Sequence, residues 1–283
     1  MLDFRIRCSS VGHIMSDPVS IDASLRTPEV EAILKKKVRT DDEKALIKRL
    51  KQGQLSEGAK TYIRRLVSQE IFGVTFEVSS KAIAKGLECE EASIALLNRV
   101  RGLSLAKNTE RRTNRWLTGE CDLFNAPRRA GHDLKTSWSL ATFPILPVDC
   151  EDQLYFFQMQ GYMDLWDADE WSVDYAMVDT PERLIGYEPM ELHIVSHIPE
   201  NLRLTSWVVK RDQSVIDLMH AKVEAAQTYA REVLREFDRA HAIKALADAG
   251  APWASDASTL PQKPTAPAAV PKTAAPVALP ELF

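Results

Sequence analysis

The sequence predicts an α+β chain of mixed α/β character, with a small central mixed sheet flanked by helices. Three observations carry that expectation. Helical spacing of apolar and charged residues runs through residues 27–101. Two strand-like runs joined by a turn follow at 116–138, and a long helical stretch covers 212–247. Helical and strand periods mixed in one chain without an internal repeat point to helices packed on a sheet.

Residues 27–51 and 56–72 carry helical spacing and many charges, and Ser56 is a suitable cap for the second. Lys81–Arg101 reads as a third helix, with Ile83, Leu87, Ile94, Leu97 and Val100 near one stripe. Trp116–Phe124 and His132–Trp138 read as strands, and the link NAPRRAG supplies the Asn, Pro and Gly of a hairpin. Residues 152–166 follow as an amphipathic helix. Ser172–Val178 reads as a strand stopped by Pro181, Glu191–Ile198 as a further strand, and 212–247 as the last helix. After about residue 250 the composition shifts to Ala, Pro, Ser and Thr. Such a stretch buries too little apolar surface to offset its ordering entropy. Residues 1–250 are therefore read as one domain and 251–283 as a disordered tail. The tail ends in Leu279-Pro-Glu-Leu-Phe283, either a docking peptide for a partner or a tail end without a role.

Composition narrows the class. A 45% hydrophobic and 27% charged chain is that of a soluble globular protein, and no run of about 18 apolar residues suggests a membrane span. The opening MLDFRIRCSSVGHIM lacks the apolar core of a signal peptide, so a cytoplasmic location is expected. Cys8, Cys89, Cys121 and Cys150 are scattered, which excludes zinc-ribbon and iron–sulfur spacing. The net charge of −4 is unevenly spread. Residues 1–150 carry 25 Lys+Arg against 19 Asp+Glu, and residues 151–283 carry 11 against 21. A basic surface in the first half is one reading, and ordinary solvated charge is the other.

The stretch GHDLKTS, residues 131–137, places Asp133 and Lys135 on one face of a strand, because residues two apart share a face. If the hairpin turn centres between Pro127 and Arg128, paired positions sum to 255 and Asp122 lies opposite Asp133. Like charges across a ladder are destabilising. Such a pair calls for a cation between its members, and a hard divalent ion suits oxygen ligands. A slip of one residue would put the two carboxylates on opposite faces. The alternative for Asp133 and Lys135 is a surface ion pair of little value.

These residues resemble the PD-(D/E)XK nuclease superfamily, in its RecB-like and phage YqaJ-like (lambda-type) exonuclease branch. The motifs are Gly119-Glu-Cys-Asp122, then Asp133-Leu-Lys135, then Gln158-Met-Gln-Gly-Tyr162 on the following helix. Upstream, Gly86-Leu-Glu-Cys-Glu90 is similar to the helix that supplies the first acidic residue of that branch, and Cys8-Ser-Ser-Val-Gly-His-Ile-Met to its opening segment. The resemblance covers roughly residues 5–240 and implies a restriction-endonuclease-like core. It implies Asp122 and Asp133 as metal ligands with the Leu134 carbonyl, and Glu90 as a ligand to the metal or to a water beside it. Glu88 and Glu91 are competing neighbours for that last role. Lys135 would orient the attacking water, and Gln158 and Tyr162 would position Lys135 or the scissile phosphate. The implied cofactor is Mg²⁺, with Mn²⁺ as a substitute. Arg112 and Arg115 in the 111–115 run, and the turn residues Arg128 and Arg129, either contact a DNA backbone or are solvated charges. Thr136 and Ser137 are either phosphate donors or ordinary strand hydroxyls, and His132 reads as a structural strand-edge histidine.

The activity so implied is a magnesium-dependent deoxyribonuclease, an exonuclease resecting double-stranded DNA ends for a single-strand annealing protein. No membrane is involved, and a homo-oligomer is compatible because related phage enzymes form rings. Two other readings stand beside it: a structure-specific or restriction-like endonuclease with the same core, and a catalytically silent DNA-binding scaffold. The full Asp122, Asp133, Lys135 set argues against the scaffold, which needs none of them.

Overall fold

A computed structural model describes residues 4–76 and 79–241. The chain opens with β1 (Ile6–Arg7) and a 3-10 segment, Cys8–Ile14. Five helices follow: α1 (Pro28–Lys35), α2 (Asp41–Gln52), α3 (Glu57–Phe72), α4 (Lys81–Glu88) and α5 (Glu90–Arg101). The single helix expected over 27–51 is thus two. The break has a local cause. Thr40 and Glu43 form a reciprocal capping box that starts a new helix, while the Arg39 guanidinium takes the last carbonyls of α1, Ile33 and Leu34. Ser56 caps α3 as expected, accepting from the Ala59 amide, and Gly73 ends it in the left-handed region at φ 64°. The helix expected over 81–101 also divides, at Cys89. The break lets α4 aim the buried Lys85 at the end of a strand, where its ammonium donates to the Ser137 and Trp138 carbonyls at 2.7 and 3.0 Å. It lets α5 lay Leu96 and Leu97 on the sheet instead.

The strands form two sheets rather than the one expected. In the first, β3 (Leu117–Glu120) lies between β1, parallel to it, and β2 (Arg111–Thr113), antiparallel. The second has the order β4 (Leu123–Asn125), β5 (Ala130–Thr136), β6 (Glu170–Ala176) and β7 (Leu204–Lys210). The strand expected over 116–124 therefore splits at Cys121 and Asp122, one half going to each sheet. The β4–β5 register is the expected one, with Leu123 opposite His132 and Phe124 opposite Gly131. Strands β5 and β6 are parallel, so their connection must cross over, and α6 (Gln153–Trp166) makes the crossing.

No strand forms at 191–198. Prolines 189 and 199 bracket the segment, a 3-10 turn occupies Met190–Leu192, and the Asp179 carboxylate accepts the Val195 and Ser196 amides that a ladder would need. After the short α7 (Glu182–Ile185), the missing partner of β6 comes from β7, which the sequence reading did not place. Helix α8 (Gln213–Ala240), capped by Asp212, is the long last helix. Residues 242–247 of its expected span, and the 251–283 tail with its Leu279–Phe283 peptide, lie outside the described residues.

The core sits on one face of the second sheet. Trp171, Val173 and Val209 pack under Met159, Met163 and Trp166 of α6, with α3, α8 and the 8–14 segment closing over them. Burying such side chains contributes roughly 1.5–3 kcal/mol each. Gly131 permits one close approach: a Cβ there would lie 2.2 Å from the Trp171 indole. The other face meets α5 through Leu123, Ala176 and Leu204. Among the described residues no helix is long and apolar enough to cross a membrane.

Candidate active site

The β4–β5 hairpin brings the motif residues together. Arg129 turns the chain at φ 48°, in the left-handed region, and its guanidinium is tied to Asp167 and Asp169 at 2.8 and 2.9 Å. At the other end of the hairpin, Asp122 Oδ2 accepts the Leu134 amide at 2.7 Å. Asp133, 2% exposed, faces α6, and its Oδ1 accepts from Gln158 Nε2 at 2.9 Å. Its Oδ2 lies 2.7 Å from Lys135 Nζ but takes part in no aligned hydrogen bond. Lys135 Nζ sits 4.6 Å from the centre of the Tyr155 ring. Gln158 Nε2 is also 3.3 Å from the Tyr162 hydroxyl, which donates to the Glu120 carbonyl at 3.1 Å. Gln158 therefore reaches Asp133 rather than Lys135. Tyr162 is buried behind the carboxylates and ties α6 to β3.

Charge is short of balance here. Burial, then the charge of Asp133, push Asp122 up to about 7, against the Leu134 amide and Lys135, which favour the carboxylate. Glu90 adds to the upward push. Burial pulls Lys135 down, but the close carboxylate of Asp133 outweighs it, so the ammonium is held above its ordinary value. Burial, then Asp133, hold the Tyr162 phenol well above its ordinary value, so it acts here as a neutral donor.

No protein-family model and no curated protein matches the chain. Among solved structures, a phage-related exonuclease from Haemophilus somnus 129PT is 33% identical, matching 83% of this chain and 96% of its own at a TM-score of 0.67. The chain belongs to the phage-related exonuclease family. Two structures of an exonuclease called LHK-Exo share the fold. One holds dAMP, at 14% identity and a TM-score of 0.51. The other is described as an alkaline exonuclease from Laribacter hongkongensis, at 13% and 0.50. Each covers 84% of this chain and 93% of its own.

Of the three glutamates this family member offers near the hairpin, Glu90 is the one whose charge reaches Asp122. It opens α5 and is ion-paired to Lys107. Glu88 turns to Arg183, and Glu91 is exposed. Among the described residues no group of three or more His, Cys, Asp or Glu side chains is arranged to hold a metal. The donors that remain are two carboxylates, Asp122 and Asp133, and the Leu134 carbonyl. Two carboxylates face the single ammonium of Lys135, and an Asp122 held toward neutrality marks a place deficient in positive charge. A hard divalent cation fits that deficiency.

The basic residues of this phage-exonuclease relative are mostly occupied. Arg112 makes a bidentate pair with Glu110 at 3.0 Å and lies 5.2 Å from the Trp166 ring. Arg115 pairs with Glu224 at 3.4 Å. Among the described residues Arg128 alone of the four expected DNA-contacting arginines has no ion pair, and it lies on the far side of the sheet from Asp133. Thr136 is held by Ser93 at 2.9 Å, a structural use, and the Ser137 hydroxyl is buried. Sequence reading missed Tyr155, the platform under Lys135, and Lys107, the partner of Glu90. Tyr155 was within reach, since it stands three residues before Gln158 and so shares its helix face.

Proposed function

We propose that this chain is a metal-dependent DNA exonuclease that hydrolyses phosphodiester bonds from duplex ends. The observation that supports it most is the juxtaposition of Asp122 with a buried Asp133 whose two oxygens are addressed by Gln158 and Lys135. Asp122, Asp133 and the Leu134 carbonyl would hold Mg²⁺, or Mn²⁺ in its place. The ion would supply positive charge to the scissile phosphate and acidify the attacking water.

The chain's own residues do the rest. Gln158 immobilises one oxygen of Asp133 and so fixes where its carboxylate points. Lys135 stays protonated at neutral pH, so it serves as a donor and a fixed charge, not as a base. Its place beside Asp133 lets it hold the attacking water and offset the charge that builds on phosphoryl oxygens as the 3′-oxygen leaves. The Tyr155 ring keeps that ammonium from swinging out to solvent. Glu90 stands beyond Asp122, bound to Lys107, and would address a water at the edge of the site. The biological task this supports is resection of duplex ends for a single-strand annealing protein.

The test is a timed digestion of end-labelled linear duplex and covalently closed circular DNA with Mg²⁺. Mononucleotides released from linear DNA only are expected. Cutting of closed circles at an equal rate would refute the exonuclease reading in favour of an endonuclease. In Lys135→Ala, hydrolysis is expected to fall by about 10²-fold or more, the usual loss on removing one preorganised donor to developing charge. Undiminished hydrolysis in that variant would remove the central assignment, and no hydrolysis in the unaltered protein would favour a scaffold.

A further inference from the structure

The face of the second sheet opposite Asp133 holds another polar constellation. Paired strand positions project to the same side, so His132, Ser172 and Ser206 share that face with Asp174. They line an open cavity of about 200 Å³ with Arg101, Asn125 and Arg128. That is below the roughly 300–1,000 Å³ of pockets that enclose a whole drug-sized ligand, and it is room for a phosphate group with the rest of its ester outside.

The cluster has an inner and an outer layer. Asp174, 1% exposed, is the inner acceptor. His132 Nδ1 lies 2.8 Å from both Asp174 Oδ2 and Ser172 Oγ, and the Ser172 and Ser206 hydroxyls both donate to Asp174. Serine and aspartate meet the same ring nitrogen, so this is no nucleophile relay, which needs them on opposite nitrogens. An acceptor-only carboxylate instead fixes the proton on Nδ1 and leaves Nε2 for the cavity. Arg101, the last residue of α5, donates to Ser206 Oγ at 2.7 Å, its one side-chain partner among the described residues. Arg128 has no ion pair or hydrogen bond among the described residues. The second carboxylate of the lining, Glu170, is ion-paired to Lys210. The cavity therefore presents two guanidinium groups, an oriented imidazole and the Asn125 amide, with no uncommitted carboxylate. Forked guanidinium donors match the oxygens of a phosphate.

We propose that this cavity is a second, non-catalytic phosphate site, with Arg128 and Arg101 as its principal donors and His132 as an oriented third. Its ligand is a phosphate ester, either in a single DNA strand led over the back of the hairpin or in a released mononucleotide. The site does not use Asp122, Asp133 or Lys135, so it stands or falls separately from the catalytic reading.

The experiment is equilibrium binding in EDTA, by calorimetry with dTMP and by fluorescence anisotropy with a labelled oligo(dT). The proteins are the unaltered chain, Arg128→Ala, Arg101→Ala/Arg128→Ala and Asp133→Asn, each checked for a native fold by circular dichroism. Loss of one charged hydrogen-bond partner should weaken binding roughly ten-fold and loss of both roughly a hundred-fold, with a shallower salt dependence. Asp133→Asn should bind no more weakly than the unaltered chain. Binding of dTMP as well as oligo(dT) identifies the mononucleotide as the source, and binding of oligo(dT) alone identifies the strand. Equal affinity in the unaltered and doubly substituted proteins, or loss in Asp133→Asn alone, overturns the proposal.

Discussion

Asp122→Asn should stabilise the metal-free protein while abolishing hydrolysis. The carboxyl is pushed from its ordinary 3.8 up to about 7 by burial and by Asp133. A carboxyl raised on folding binds more protons folded than unfolded between those two values, so the stability it costs grows as pH rises from about 4 to about 7 and is constant above. A rise of that size corresponds to about 4 kcal/mol at pH 8, while at pH 5 only about 2 kcal/mol has accrued. The Asn amide has no charge to bury, and its oxygen still accepts the Leu134 amide, so the variant escapes that cost. For a domain of this size about 4 kcal/mol raises the thermal midpoint by about 8–16 °C. The assay is thermal unfolding of both proteins in EDTA at pH 5 and pH 8, repeated with Mg²⁺. The gain should be larger at pH 8 by about 2–3 kcal/mol, and Mg²⁺ should raise the midpoint of the unaltered protein more than that of Asp122→Asn. A variant less stable than the unaltered chain at pH 8, or an equal gain at both pH values, would refute the like-charge account of this site.

Two further substitutions probe the frame around the carboxylates. Gln158→Leu removes the donor to Asp133 Oδ1 and should cost about 1–3 kcal/mol in urea unfolding, with at least a ten-fold loss of hydrolysis. Full activity in a folded Gln158→Leu would show that Asp133 needs no positioning from α6. Gly131→Ala forces a methyl onto the Trp171 indole and should destabilise by about 1–3 kcal/mol or more, measured by the same unfolding. A neutral effect would mean that the indole has room to move.

The hairpin was legible because its information is local. NAPRRAG contains the turn residues, the apolar pattern fixes the facing positions, and the resulting register sets Asp122 beside Asp133. The helix breaks at 36–40 and at Cys89 were not legible, since apolar spacing continues across both. The first is decided by a cap and an arginine, and the second by where Lys85 and Leu96 each find a partner. The misplaced strand shows the same limit. Glu191–Ile198 has the composition of a strand, but an aspartate distant in sequence satisfies its amides before any ladder can. The role of Gln158 was half legible: its place near the site followed from the motif, and its choice of Asp133 over Lys135 depends on how α6 lies across β5.

The two ends of the described chain are fastened to each other. The Phe4 carbonyl accepts from Gln227 on α8, and the buried Lys222 ammonium donates to the Ser16 and Gln54 carbonyls. Strand β1 has β3 as its ladder partner, more than a hundred residues downstream. During synthesis, then, the first strand leaves the ribosome long before the helix that anchors it exists, and contacts so distant in sequence form slowly. The nascent chain must carry an unclosed amino-terminal segment until α8 emerges. Nuclease activity should accordingly arrive late and all at once, when the last helix docks.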